Sequence, residues 1–146
     1  MPRLSLRYLA GCAAAILLYL GGARIGLAFG ANGSGVSPFW PPSGLALGLL
    51  LRGGLRLTPV LLVADLLSTT LAGQPVGEVL SGGVADTLEA VVGALLLRRF
   101  AFRIEFNRPR DVLLLAGISA FASAGLFALC ASLALCIQGF VPWSAL

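Results

Sequence analysis

The sequence predicts an all-α integral membrane protein of about five transmembrane segments, the second of them a half-helix, with the N-terminus on the cytoplasmic side. Three observations predict it. With 58% hydrophobic and 11% charged residues and a mean hydropathy of +0.97, the apolar runs exceed what 146 residues of soluble globule can bury. The ten basic residues are all arginine, and nine of them fall at positions that alternate with the spans. The stretch VSPFWPPSGLALGLLLRGG then places a helix too short for a bilayer after a proline-bound aromatic turn.

Taken in order, the first span covers about residues 8–29, long enough to cross with modest tilt, and carries Arg24 inside its far end. Residues 30–35, GANGSG, form a flexible link. The short helix starts at Pro42 or Ser43, because Pro41 and Pro42 have φ fixed near helical values and no N–H groups, which suits a first turn and no other part of a helix. It stops near Arg52 at a Gly-Gly pair, giving roughly ten residues and about 15 Å, half of a hydrocarbon core. The non-helical residues 34–41, chiefly Pro38, Phe39 and Trp40, must complete that crossing. The third span covers residues 55–72, with Asp65 near its middle, and the fourth covers residues 76–97, with Asp86 and Glu89. The polar stretch 98–110, RRFAFRIEFNRPR, follows. Asp111 then caps a fifth span reaching about Cys136, long enough to be tilted or else interrupted near Ser123 to Gly125.

With the N-terminus inside, Arg3, Arg7, Arg52, Arg56 and the five arginines Arg98, Arg99, Arg103, Arg108 and Arg110 all lie on the cytoplasmic side, and Arg24 alone does not. Residues 1–146 are therefore expected to form a single polytopic domain of the bacterial inner membrane, with no soluble output domain. Arginines spread over span ends do not make a nucleic-acid patch. The 98–110 stretch instead suits anionic lipid heads, with a contact to a cytoplasmic partner as its alternative. Arg3 and Arg7 also fit a signal peptide's basic region, but the apolar run that follows is longer than such a peptide needs.

The expected ligand-binding residues are Arg24, Phe39, Trp40, Pro41, Pro42, Ser43, Asp86 and Glu89. A helix start inside the bilayer presents unpaired N–H groups and a positive dipole end, and Arg24 is expected at similar depth, with Phe39 and Trp40 as an apolar wall. Asp86 and Glu89 share a helical face with Gly82, Ala90 and Gly93. Intramembrane carboxylates are costly unless paired or wetted, so they mark either a site or an ion pair with Arg24. Asp65 is a further intramembrane polar residue that either joins this cluster or is held by Ser68 or Thr69. Cys12, Cys130 and Cys136 sit in apolar runs without C-x-x-C spacing, and there is no histidine, so no metal or cofactor is expected. Neither a catalytic set nor a phosphate loop is present, so no enzyme is expected.

Four blocks carry a resemblance: YLGGARIG at 19–26; FWPPSGLA at 39–46 followed by LLLRG at 49–53; DTLEA at 86–90 leading to LLLRR at 95–99; and RPRDV at 108–112. In these the chain resembles the bacterial membrane-associated sensor domain of the first type, of the MASE family, from about residue 19 onward. The resemblance implies a sensory input module usually found ahead of histidine kinase, diguanylate cyclase or phosphodiesterase domains. It also implies more spans than this chain holds, so a truncated or reduced version is expected.

The expected function is a non-catalytic sensory or ligand-binding input module of bacterial signalling, taking an unknown small ligand. Two alternatives stand beside it. One is a structural accessory subunit packed against other membrane subunits or itself, suggested by the small-residue faces. The other is a small-molecule carrier, suggested by the broken helix.

Overall fold

The computed structural model describes residues 6–29 and 39–123 and, beyond them, 125, 129, 132–133, 136–137, 139 and 142–145. The 30–35 link, Pro38, Arg3, Cys130 and most of the second half of the expected fifth span lie outside the described residues. Among those described there is no strand.

α1 (Leu6–Ala28) and α4 (Val76–Arg99) have 23 and 24 residues, or about 35 Å each. Both are long and apolar enough to cross a membrane. α2 (Pro41–Gly53) has 13 residues, about 20 Å. It is longer than expected because Pro41 already occupies the first helical position and the helix continues through Gly53. A turn at Gly54 leads to a 3₁₀ turn (Leu55–Leu57) and α3 (Thr58–Leu71). α5 (Pro109–Leu114) begins before Asp111, whose carboxylate lies in the first turn and accepts the Arg103 backbone N–H at 3.3 Å. Asp111 is thus an anchor for the preceding loop instead of the cap. From Leu115 to Ser123 the chain widens into a π-helix, so the irregularity of this segment starts well before Ser123.

α1 packs on α2 and α3, and each of these packs on α4, so α2 and α3 separate the two long helices; the π-helix packs on α4. Small residues let these helices approach. Ala15, Ala23, Ala46, Ala64, Ala90 and Ala94 are all buried, around the larger Leu50, Leu61 and Leu97. The outward faces are apolar: Val63, Leu67 and Leu71 on α3, and Leu80, Val84, Leu88 and Leu95 on α4, are exposed. Apolar residues outside and small residues inside suit lipid surroundings.

One end of the bundle gathers arginine contacts. The Arg56 guanidinium lies 5.9 Å from the Tyr8 ring centroid, joining the start of α1 to the α2–α3 turn. Arg98, near the end of α4, donates to the Leu50 carbonyl of α2 at 2.7 Å. These ends of α1, α2, α3 and α4 therefore share one side of the molecule.

Candidate functional site

The start of α2 is seated on α1. A β-carbon at Gly26 would lie 2.8 Å from Trp40 Cε3 and 3.2 Å from the Phe39 carbonyl oxygen, and one at Gly22 would lie 2.8 Å from Leu45 Cδ1. Gly22 and Gly26 are one helical turn apart, so together they form a smooth groove for the turn. Phe39 stacks edge-on with Phe29 at 6.1 Å and is largely exposed. Trp40 stands at the N-cap position, with its carbonyl accepting the Ser43 N–H at 3.3 Å. Since Pro41 and Pro42 bring no N–H and that of Ser43 is used, the first three helical residues offer no spare donor. The anion-holding helix start expected from the sequence is therefore largely disarmed by its own prolines.

A buried polar group lies deeper. The Tyr19 hydroxyl of α1 donates to Asp65 Oδ1 of α3 at 2.7 Å, and both residues are almost fully buried. The second Asp65 oxygen has no hydrogen-bond partner among the described residues, and a β-carbon at Gly83 of α4 would lie 3.0 Å from it. Ser68 and Thr69 donate to the Asp65 backbone carbonyl at 2.9 Å each. Asp65 thus joins α1 to α3 with α4 pressed against it. Tyr19 was not singled out from the sequence, because a lone tyrosine in an apolar run carries no mark of its partner.

Asp86 and Glu89 are half-buried on α4, on either side of buried Thr87. The Trp40 indole N–H is buried and has no hydrogen-bond partner among the described residues. Glu89 stands three residues further along α4. With Ser43, Gly44 and Leu47 of α2, Ala90 and Gly93 of α4, and Ser119 of the π-helix, it lines a cavity of about 340 Å³, within the range of ligand pockets. Val112, Leu115 and Ala116 complete the wall, and Val112 and Ala116 are exposed at its rim. π-helical turns recur at functional sites, and this one forms one side of the cavity.

The expected site residues thus divide. Ser43 and Glu89 meet in the cavity; Trp40 stands at the N-cap of the helix whose first two positions are Pro41 and Pro42, and Asp86 does not line the cavity. Arg24 is exposed on α1, one residue past buried Ala23, and does not line the cavity. Of the face shared by Gly82, Ala90 and Gly93, the last two are buried within this chain.

Arg98, Arg99, Arg103, Arg108 and Arg110 are all exposed. Two of them also hold backbone: Arg98 on Leu50, as above, and Arg110 on the Phe100 carbonyl at 3.0 Å, at the end of α4. Cys12 and Cys136 are free thiols. Among the described residues no group of three or more His, Cys, Asp or Glu side chains is placed to hold a metal ion.

A family model described as MASE1 matches residues 12–146. No curated protein and no solved structure matches the chain.

Proposed function

The chain belongs to the MASE1 family of membrane-associated sensor domains of signalling proteins, and from that premise we propose that it is a non-catalytic input module that senses a small ligand within the bacterial inner membrane. The cavity carrying Ser43 and Glu89 is the observation on which this rests. It is formed by four elements, α2, α4, α5 and the π-helix, so an occupant bridges them and favours one relative arrangement over another.

The topology proposed with it has five spans and the N-terminus inside, with α2 as the short second crossing. Support comes from the bundle end where Arg56 meets Tyr8 and Arg98 meets Leu50, which collects the span ends rich in arginine. The exposed arginines of residues 98–110 then lie on the cytoplasmic side against anionic lipid heads.

Fusing the chain to a diguanylate cyclase and reading product in cells tests the sensory role. Glu89→Gln and Ala116→Leu, which alter the cavity's charge and volume, are expected to change the output, while Leu18→Ala on the outer face of α1 is not. Unaltered output from both cavity variants, with normal membrane insertion, overturns the proposal.

A further inference from the structure

Resting on the cavity as the sensory site, we infer that its occupant is an uncharged molecule with one hydrogen-bonding head, of the hydroxyl kind, on a short apolar chain, held with the head toward the middle of the bilayer. The lining of the cavity is sorted along its length. α2 and α4 run in the same direction, since Arg98 near the end of α4 reaches Leu50 near the end of α2. α5 starts from that same end, where Arg110 holds the Phe100 carbonyl just past α4, and it runs back into the π-helix. In each wall the polar lining residue is the one farther from the arginine end. Ser43 precedes Leu47 on α2, Glu89 precedes Gly93 on α4, and Ser119 lies about two turns beyond Val112. One end of the cavity thus collects two hydroxyls and a carboxylate, and the other end is apolar.

Depth selects against a charged occupant. Glu89 lies nine residues before Arg98, about 14 Å along the helix axis. With the arginine end at the cytoplasmic face, the polar end therefore stands near the middle of a hydrocarbon core about 30 Å thick. An ion carried to that depth loses its hydration. Glu89 already has an interaction within this chain and asks for no counter-charge. A neutral head loses far less, and the Ser43 and Ser119 hydroxyls each offer it both a donor and an acceptor. The apolar chain then lies toward Leu47, Gly93 and Val112. Val112 and Ala116, exposed at the rim, mark a lateral way in from the bilayer. A glycerolipid keeps its head at the membrane surface, so the occupant is a free molecule dissolved in the bilayer.

The test uses the full chain in phosphatidylcholine nanodiscs, titrated with hexanol, hexane, hexylamine or hexanoate and followed by ligand-observed NMR. Empty nanodiscs are subtracted, and affinities are referred to the ligand concentration in the bilayer. Hexanol is expected to bind at least about fivefold more tightly than hexane and at least about tenfold more tightly than either ion. Replacing Ser43→Ala and Ser119→Ala together is expected to bring hexanol down to the level of hexane, and Ala116→Leu, which fills the cavity, to weaken both. An ion that binds within tenfold of hexanol overturns the inference, as does a double variant that keeps the hexanol preference. If hexane matches hexanol and Ala116→Leu weakens both, the cavity stands as a site and the assignment of a polar head fails. If no ligand binds, or Ala116→Leu changes nothing, the cavity falls with it. Discs containing diacylglycerol complete the test: unchanged hexanol affinity supports a free molecule, and weaker affinity makes a lipid hydroxyl the occupant and overturns the assignment.

Discussion

The Trp40 ring occupies the space that a side chain on Gly26 would fill, with Cε3 only 2.8 Å from where a β-carbon would stand. The aromatic turn and the first helix are therefore fitted to each other through a single missing methyl group. Gly26→Ala should force the indole or the Phe39 backbone outward and cost about 1–3 kcal/mol of stability. Gly21→Ala, on the exposed face of the same helix with nothing within 4 Å, is the control. Thermal unfolding in detergent with tryptophan fluorescence reads both; equal midpoints for the two variants would count against this seating.

Tyr19 is the one hydrogen-bond donor found for the Asp65 carboxylate among the described residues. Tyr19→Phe leaves both oxygens unsatisfied in the interior and is expected to destabilise by about 1–3 kcal/mol. Combining it with Asp65→Leu should cost less than the sum of the single changes, with a coupling of about 0.5–3 kcal/mol. A double-mutant cycle on unfolding midpoints checks this, and simple additivity would mean that the pair is not coupled.

Arg98 reaches from α4 to the last turn of α2, where the negative end of the helix dipole favours a cation. Arg98→Met should lower stability by about 0.3–1 kcal/mol. Arg99→Met, one residue on, should leave stability unchanged and reduce only the attraction to anionic vesicles. Swapped outcomes would reverse the roles given to these two residues.

The proposed topology sets Arg56 and Gln74, at opposite ends of α3, on opposite membrane faces. Single cysteines at these positions, in a background with Cys12, Cys130 and Cys136 replaced by serine, should be labelled by an impermeant maleimide from opposite sides of inverted vesicles. Labelling from one side alone would remove the third crossing.

Sequence patterning located the helices well where apolar runs are punctuated. The fourth span was expected at residues 76–97 and forms Val76–Arg99, because a Gly-Gln-Pro turn precedes it and an arginine pair ends it. The proline pair likewise fixed the start of α2 to within a residue or two. The π-helix was not legible, since no residue type marks one and its register depends on what packs beside it. For the candidate site, charge and spacing identified Ser43 and Glu89, which meet in the cavity. They did not separate Arg24 from it, because depth along a helix can be read from sequence while rotation toward one neighbour or another depends on packing. Tyr19 escaped for a related reason: its hydroxyl matters only through Asp65, 46 residues away.

The paired prolines of α2 also set a rule for substitution. Pro42 is fully buried, and an ordinary residue there would carry a main-chain hydrogen into the interior at a helical position that has no acceptor within its own helix. Replacing Pro42 with alanine, a better helix former by propensity, thus asks the protein to hide a new polar atom. The motif keeps its shape by what it leaves out, so tolerance at position 42 should follow the absence of a hydrogen more closely than side-chain size or polarity.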